Sequence, residues 1–339
     1  MKKGSFLFLS LLIFVVSCGK QSSDEVVLKG KTMGTTYSVK FVDLADKFVA
    51  TEIQSEIDSV LSNVNLEMST YIPESEISRF NAFRKTDWFP VSKDFVVVLR
   101  QAKYVAKISD GYFDPTVMPL VNLWGFGPEK RDDKIPTDAE VDSAKKLVDF
   151  TLIEEKINPP EIRKKSSEVY LDFSSIAKGY GVDKVGDFLE SKGINDYLVE
   201  IGGELRAHGV KPDSALWRVG VVNPNENGIS IALKLNDLSI ATSGDYMNYF
   251  EVNGKRYSHT INPKTGRPIT HNLASVSVID PSCMIADAYA TAFDVLGPEK
   301  GFALAESLDI PVYMIIRKGD KFQVKMNSEF KKLIGKNKG

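Results

Sequence analysis

The sequence predicts an α+β fold, in which helices pack against a mixed or mostly antiparallel sheet. Two observations carry this prediction: helical and strand-like patterns are mixed along the chain, and turn sequences join neighbouring strand-like runs into hairpins. Asn253-Gly254, between two such runs, is a strong hairpin signal. The chain has 339 residues and is 43% hydrophobic, which allows one large domain or two small ones.

Five helices are predicted from apolar residues at helical spacing and from residues typical of helix ends. Their ranges are 48–68, 95–108, 137–148, 177–192 and 285–296. Pro73 stops the first helix and Gly193 ends the fourth. Thr137 or Asp138 caps the third, and Gly111 is expected at the C′ position of the second.

The strand-like runs lie before, between and after these helices. They are 26–42, 168–173, 197–201, 217–222, 229–235, 246–252, 273–279, 312–316 and 322–326. The first run is interrupted at Met33-Gly34 and therefore represents one strand or two. A final hairpin is expected around Lys318-Gly319-Asp320.

The first residues predict a targeting signal that is not part of the fold. Lys2 and Lys3 precede an apolar run that is shorter than the roughly 20 residues of a membrane-spanning helix. The run ends in Val15-Val16-Ser17-Cys18-Gly19, which resembles a bacterial lipobox with Cys18 as the lipidated first residue of the mature protein. The alternative is an ordinary signal peptide with an incidental cysteine. The predicted organisation is a lipoprotein signal peptide over 1–17, a lipidated cysteine and tether over 18–28, and a folded domain over 29–339.

A lipid on Cys18 would anchor the domain at the extracytoplasmic, periplasmic side of a bacterial membrane. It would also exclude an intrachain disulfide, because Cys283 is the one other cysteine of the sequence. Three histidines without C-x-x-C or H-E-x-x-H exclude the common zinc arrangements. The net charge of −2 gives no reason to expect nucleic acid as a partner.

Four segments combine small or glycine residues with hydroxyls and a carboxylate. They are Met33-Gly34-Thr35-Thr36, Gly111–Thr116, Asp172–Gly179 and Ala286–Thr291. Glycine lets the backbone approach a ligand, while hydroxyl and carboxylate oxygens suit phosphate and a hard cation. We therefore interpret the four segments as parts of one site.

Asp172–Gly179 is predicted at a strand-to-helix junction, where unpaired N–H groups favour phosphate. Ser174 and Ser175 are natural N-cap residues, and Lys178 could add a cation. An ordinary capped helix without a ligand would show the same pattern.

Asp287 and Thr291 are four residues apart on a predicted helix, and Asp294 extends the same face. A carboxylate and a hydroxyl on an otherwise apolar helix suggest Mg²⁺ or Ca²⁺, although a helix face with a few solvated polar groups is also common.

Together these segments resemble the ApbE family of FAD:protein FMN transferases. Asp172–Gly179 resembles the family's D-x-S-x-x-A-K-G string, Ala286–Thr291 its A-D-A-x-x-T string, and His259–Gly266 its H-x-I-[DN]-P-x-T-G string. Other family strings match at 69–71, 75–81, 121–127, 201–204 and 241–246. The resemblance runs from about Lys29 to Leu333 and implies one compact, two-lobed, T-fold-like unit with FAD bound in a cleft between the lobes.

The resemblance implies roles for individual residues of this chain. FAD would be bound by Met33, Tyr71, Tyr112, Phe113, Asp114, Asp172, Lys178 and Ile261. Mg²⁺ would be bound by Ser175, Ala177, Asp287 and Thr291, with backbone carbonyls near Ser175 or Ala177 among the ligands. Some members carry a second aspartate three residues after the first, where this chain has Ala290, so fewer side chains would hold the metal.

His259 and Asp287 are the catalytic residues that the resemblance implies. His259 would lie near the flavin pyrophosphate and serve in proton transfer, although a lone histidine is more often structural. His208 and His271 are interpreted as surface residues. Segment 241–246 would close on the ligand or form a plain turn, whereas 121–127 and 201–204 are interpreted as architecture: an aromatic anchor and a tight turn.

The implied activity is Mg²⁺-dependent transfer of FMN from FAD to a Thr or Ser hydroxyl of a target flavoprotein, with release of AMP. The family's targets are flavoprotein subunits of membrane redox complexes and related extracytoplasmic reductases. Two alternatives stay open: a Mg²⁺-dependent FAD pyrophosphatase, and an FAD-binding lipoprotein without catalytic activity.

Overall fold

The structure is a computed structural model that describes residues 23–44, 47–128, 135–223, 228–244, 249–252, 255–319 and 321–336. The predicted signal peptide and Cys18 lie outside the described residues, as do Asp245, Tyr246 and the turn residues Asn253 and Gly254. Within the described ranges, no helix combines the length and apolar character needed to cross a membrane.

Seventeen strands are present in the described residues. They are β1 Ser23–Thr32, β2 Thr35–Leu44, β3 Phe89–Pro90, β4 Ile153–Ile157, β5 Pro160–Lys164, β6 Tyr197–Ile201, β7 Glu204–His208, β8 Trp217–Asn223, β9 Gly228–Leu235, β10 Leu238–Gly244, β11 Tyr249–Val252, β12 Lys255–Ser258, β13 Ile261–Asn262, β14 Arg267–Pro268, β15 Leu273–Asp280, β16 Val312–Lys318 and β17 Lys321–Met326.

The helices in the described residues include all five that the sequence predicts. They are α1 Ala50–Met68, α2 Glu76–Ala82, α3 Lys93–Ile108, α4 Met118–Leu123, α5 Asp138–Lys145, α6 Ala177–Ser191, α7 Cys283–Ser307 and α8 Ser328–Lys336, with a 3-10 turn at Phe150–Leu152. Thr137 caps α5 in a capping box with Glu140, as predicted. After α3, Asp110 and Gly111 both have positive φ, so the predicted C′ position belongs to Asp110.

An eight-stranded antiparallel sheet organises the molecule and confirms the predicted α+β class. The strand order is β1-β2-β6-β7-β10-β15-β16-β17, and every neighbouring pair is antiparallel. Short sheets of two or three strands pair β3-β5-β4, β8-β9, β11-β12 and β13-β14.

Side chains alternate between the two faces of the sheet, as the two-residue period of a strand requires. On β16, Val312, Met314 and Ile316 join the core under α3 and α7, whereas Tyr313 and Ile315 join the core under α8 and the β8–β9 hairpin. Helices α1 and α6 cover a third apolar cluster over β2 and β6. The core therefore lies on both faces of one sheet.

The predicted strand at 168–173 is wrong. Glu168 lies in a turn and 169–173 form no ladder, because side-chain and loop groups satisfy backbone groups of this segment. Asn81 Nδ2 donates to Leu171 O at 2.9 Å, and Leu171 N–H donates to Asn81 Oδ1 at 2.8 Å. Asp172 N–H donates to Pro115 O at 2.7 Å. A long-range side chain thus replaces the strand partner, which no local pattern reveals.

Helix α7 has a break where the predicted helix ends. Gly297 has φ 79°, and Pro298 has no N–H to donate to Asp294 O, its partner in a regular helix. His271 Nε2 lies 2.7 Å from that carbonyl oxygen instead. His271 is therefore a structural residue of the break and not simply a surface residue. His208 is likewise half-buried and stacks on Tyr197, with the ring centroids 5.6 Å apart.

Candidate functional site

A cleft of about 760 Å³ brings most of the predicted site residues together, and its size suits a small-molecule ligand. The predicted residues that line it are Tyr71, Tyr112, Phe113, Asp114, Asp172, Ser175, Lys178, His259, Ile261, Asp287 and Thr291. Residues of three predicted segments of the site, 111–116, 172–179 and 286–291, thus meet in one cleft, as the sequence predicts.

Two predicted site residues do not border this cleft. Met33 has φ 48° in the turn between β1 and β2, and its side chain packs among apolar residues, with Cε against Gly181. Ala177 is the first residue of α6 and is also absent from the lining. The fourth predicted segment therefore supports the core beside the cleft.

A buried cluster of charges lies where α6, β7 and α7 meet. Lys178 Nζ donates to Glu204 Oε1 at 2.5 Å, and Asp287 is 5% exposed on the neighbouring turn of α7. Glu204 Oε2 is buried and has no hydrogen-bond partner among the described residues. Two carboxylates and one ammonium leave this cluster with one negative charge in excess.

Burial and mutual charge shift the titration of all three groups. Burial raises the pKa of Glu204 to about 7, helped by Asp287 and opposed by Lys178. Burial raises the pKa of Asp287 as well, against the attraction of Lys178 and the Gly179 N–H. Burial alone would lower the pKa of Lys178, but the attraction of Asp287 and Glu204 outweighs it and raises that pKa.

The first turn of α6 is not capped by Ser174 or Ser175, which corrects the prediction. Ile176 occupies the N-cap position and makes no side-chain cap bond. The N–H of Gly179 instead donates to Asp287 Oδ2 at 2.9 Å. A carboxylate from α7 thus satisfies an amide that a local serine was expected to reach.

Asp114 and Asp172 face the cleft, and each accepts bonds from its own loop. Asp172 Oδ1 accepts from Ser174 N–H at 2.9 Å and from its hydroxyl at 2.6 Å. Asp114 Oδ1 accepts equivalent bonds from Thr116 at 2.8 and 2.6 Å, and Oδ2 accepts from Phe150 N–H at 3.0 Å. Burial raises the pKa of both carboxyls, and these bonds oppose the shift.

The predicted aromatic residues differ in how far they reach into solvent. Tyr71 is 67% exposed, which leaves its ring free to stack on a planar ligand. Although the side chain is mostly exposed, partial burial around its hydroxyl, and then the charge of Asp172, raise the pKa of Tyr71. Phe113 is 2% exposed and belongs mainly to the core, whereas the Tyr112 hydroxyl accepts from Lys300 Nζ at 3.1 Å.

His259 lies on the cleft between the β11–β12 hairpin and β13, and its ring lies edge-on to Phe126 with the centroids 6.4 Å apart. The hydroxyls of Thr260 and Ser243 each donate to Asp294 Oδ2 at 3.3 Å. Asp294 therefore holds two residues of the cleft wall in place. It extends the polar face of α7, as predicted, but its role is structural.

The profile of the ApbE family matches residues 33–314. The chain belongs to the ApbE family. The FAD:protein FMN transferase of Vibrio cholerae is 43% identical over 330 residues, covering 97% of this chain and 98% of that protein. The structure of the flavin transferase ApbE from Vibrio cholerae superposes with a TM-score of 0.85 at 42% identity, covering 92% of this chain and 99% of that one. The apo flavinyl transferase ApbE of Pseudomonas stutzeri gives 0.86 at 38% identity, covering 92% and 98%.

The oxygen donors of this ApbE chain are compatible with a hard cation. Asp287 and Thr291 lie one turn apart on α7, and both line the cleft with Ser175. Within the described residues, no group of three or more His, Cys, Asp or Glu side chains is arranged to hold a metal ion. Ala290 is fully buried in the apolar core, so a metal here would depend on Asp287, hydroxyls, backbone oxygens and ligand phosphate.

Sequence reasoning missed Glu204 as a site residue of this ApbE chain. Gly202 and Gly203 form the predicted tight turn, with φ 61° and 108°, and they also line the cleft. The acidic residue directly after two glycines was the available signal. Trp124 is the predicted anchor, with its indole N–H donating to Gly266 O at 2.8 Å, but Val121, Phe126 and Gly127 of the same segment line the cleft.

Proposed function

We propose that this chain transfers the FMN moiety of FAD to a hydroxyl group of a target protein and releases AMP. The observation that carries this proposal is the convergence of Lys178, Asp287, Asp172 and His259 on one cleft. Membership of the ApbE family and relatives named FAD:protein FMN transferase support the same activity. Catalysis of this kind depends on positioning and on neutralising phosphate charge.

The reaction replaces one phosphorus–oxygen bond by another. The acceptor hydroxyl, from Thr or Ser in our proposal, forms a bond to the FMN phosphorus, and the bond from that phosphorus to the AMP phosphate breaks. Lys178 is the cation that faces the pyrophosphate, and the open face of Tyr71 stacks on the flavin ring. Residues Tyr112, Phe113, Asp114, Asp172 and Ile261 complete the FAD surface in this proposal, while Met33 acts from the adjoining core.

Mg²⁺ is the proposed cofactor, and it would be held by Asp287, Thr291 and oxygens of Ser175 and Ala177. When bound, it would neutralise charge on the pyrophosphate. His259 is the proposed base that takes the proton of the attacking hydroxyl, because it lines the same cleft and a neutral imidazole can accept a proton.

Location and targets are also part of the proposal. Cys18 follows an apolar run and would carry a lipid anchor on the periplasmic side of the membrane. Flavoprotein subunits of membrane redox complexes or related extracytoplasmic reductases would then be within reach as acceptors.

The decisive experiment incubates the mature domain with FAD, Mg²⁺ and an acceptor protein and separates the products. We expect protein-bound FMN together with AMP. Free FMN with AMP would instead identify an FAD pyrophosphatase, and unchanged FAD would identify a carrier. A sample without acceptor shows how much hydrolysis accompanies transfer.

The anchor has its own test. Replacing Cys18→Ala removes the proposed acylation site, so the protein should move from the membrane fraction to the soluble fraction. Cys283→Ala is the matched control, because this buried cysteine should not affect partitioning. Unchanged detergent partitioning of the Cys18 variant would contradict the lipobox interpretation.

A further inference from the structure

Helices α6 and α7 satisfy each other's N-terminal amides. Asp287 of α7 accepts the Gly179 N–H of α6 at 2.9 Å. In return, Asp183 of α6 accepts the N–H groups of Cys283 and Met284 at 2.9 and 3.0 Å, and the hydroxyl of Ser282 at 2.7 Å. Each helix therefore begins on a carboxylate that the other helix supplies.

Local capping of these two helices is weak, which makes the exchange necessary. The amides of a first helical turn have no partner inside the helix and need acceptors from elsewhere. Ile176, the N-cap of α6, offers no side-chain acceptor. Ser282 caps α7 only through a 3.4 Å bond from Ile285 N–H.

The two contacts also fix the register between the helices. Gly179 and Asp183 are one turn apart on α6, and they meet Asp287 and Cys283 respectively, which are one turn apart on α7. A Cβ at Gly179 would lie 2.3 Å from Cys283 O, so only glycine permits this approach. Two points of contact along antiparallel helices prevent both sliding and rotation of one helix against the other.

Asp183 is itself held from the sheet side. Arg206 of β7 donates to Asp183 O at 3.2 Å, and its guanidinium lies 3.6 Å from Asp183 Oδ1. The same guanidinium donates to Asp187 at 2.9 Å and to Glu190 at 2.8 Å. The carboxylate of Asp183 therefore has a fixed place between the sheet and the start of α7.

We propose that Asp183 is a positioning residue for the cleft. It sets the place of Asp287 and Thr291 on α7 relative to Lys178 on α6, without facing the cleft itself. This inference rests on the proposed function, in which Asp287 acts on the FAD pyrophosphate. A displacement of about 1 Å in such a group can cost on the order of 10²-fold in rate.

The test compares Asp183→Ala with Asp43→Ala in the full chain. Asp43 is a matched control because it is 4% exposed and its carboxylate accepts the Lys47 and Phe48 N–H groups at 2.9 and 3.1 Å. It lies eight residues along β2 from Thr35, which adjoins the cleft turn at Gly202, so about 25 Å separate it from the cleft.

Three quantities are measured: the melting temperature, FAD affinity from flavin fluorescence, and the Mg²⁺ concentration that gives half-maximal transfer. Both alanine variants should melt at lower temperature, because each loses buried amide acceptors. Only Asp183→Ala should raise the Mg²⁺ requirement about tenfold or more and lower kcat by about 10²-fold. Asp183→Asn keeps one of the two acceptor oxygens that the Cys283 and Met284 N–H groups use, so its Mg²⁺ requirement should rise by a smaller, several-fold factor.

Equal Mg²⁺ requirement and kcat for Asp183→Ala and Asp43→Ala would overturn the positioning role. If Asp183→Ala does not fold, Asp183→Asn and Asp43→Asn decide in the same way: a shift of several-fold in Mg²⁺ requirement for the first alone supports the role, and no shift overturns it. Asp287→Ala separates the two proposals. Unchanged transfer by that variant would overturn the proposed function of the site. Loss of transfer by Asp287→Ala, together with an unchanged kcat and Mg²⁺ requirement of Asp183→Ala, would overturn only the positioning role.

Discussion

Two walls of the cleft use buried carboxylates in different ways. The helical wall, made by Lys178, Glu204 and Asp287, has few hydrogen bonds and, with both carboxylates ionised, one negative charge in excess: Lys178 donates to Glu204, and the Gly179 N–H donates to Asp287. The loop wall, made by Asp114 and Asp172, is satisfied by its own chain, since each carboxylate accepts two bonds from the residue two positions later.

Burial of an acidic residue therefore does not by itself indicate a catalytic or binding role. An aspartate that bonds its own backbone two residues on forms an Asx turn and shapes the loop. An aspartate between helices whose negative charge is not fully neutralised is available to a cation. We therefore expect the loop wall to determine shape and the helical wall to determine reactivity.

The largest effect is expected at Asp287. Asp287→Asn keeps an oxygen for the Gly179 N–H but removes the negative charge, so FMN transfer should be abolished while FAD still binds. Product separation after incubation with FAD, Mg²⁺ and acceptor measures transfer, and flavin fluorescence measures binding.

Asp172→Asn is the matched change on the loop wall. The amide oxygen can still accept from the Ser174 N–H and hydroxyl, so transfer should fall by less than about tenfold. Equal losses at Asp172 and Asp287 would abolish the distinction between the two walls.

The next largest effect is expected at His259. His259→Gln keeps a polar group of similar size but cannot titrate near neutral pH, so transfer should fall by about 10²–10⁴-fold with FAD binding retained. The wild-type pH–rate profile should lose activity on the acid side as the imidazole protonates, and the variant should lack this limb. If His259→Gln has the wild-type rate and acid limb, His259 is a structural residue. The base would then be a carboxylate of the helical wall such as Asp287.

The smallest effect concerns the stability of the helical wall. The pKa of Glu204 is raised from 4.5 to about 7 in the folded chain, so the folded state binds this proton more tightly than the unfolded state. The stability that the proton contributes is complete below about pH 4.5 and is lost as pH rises through about 7. Relative to Glu204→Gln, the free energy of unfolding of the wild type should therefore fall by roughly 3 kcal/mol over this range.

Urea titrations of both proteins at several pH values, without FAD or metal, measure this difference. Glu200→Gln is the control, since Glu200 accepts from the exposed Gly203 N–H at 2.8 Å and is not part of the buried cluster. Parallel pH curves for the wild type and Glu204→Gln would contradict a raised pKa of Glu204 in the folded chain.

Much of the fold follows from local pattern. Of the apolar residues that recur at helical spacing, Ile53, Ile57, Val64 and Met68 are buried on α1, whereas Val49 at its N-cap is exposed. The strand at 197–201 has the predicted bounds, and Thr137 caps α5 because its partner Glu140 is three residues away. These features depend on neighbours in sequence, which a single sequence displays.

The features that could not be predicted depend on distant residues. Asn81 holds the backbone of Leu171 across 90 residues, so the segment at 168–173 lacks the strand that its composition suggests. Asp287 of α7 accepts an N-terminal amide of α6, and Asp183 of α6 accepts N-terminal amides of α7. Because these partners are distant in sequence, the sequence alone predicted the local residues Ser174 and Ser175 as the caps of α6. Glu204 joins the site only because the turn after β6 brings it beside Lys178. The family strings predicted which segments line the cleft. The charge balance of its helical wall depends on how distant segments pack, so the sequence did not predict it.

With the proposed anchor at Cys18, strand β1 would also limit how far from the membrane the cleft can lie. It runs ten residues from Ser23 to Thr32, and its far end pairs with Thr35, which adjoins the cleft turn at Gly202. With Cys18 as the proposed anchor, five more residues precede the strand. Tether and strand together reach at most roughly 50 Å, at about 3.3 Å per residue. If Cys18 carries the proposed anchor, an acceptor hydroxyl would have to come within this distance of the bilayer, which would favour targets that are themselves held at the membrane.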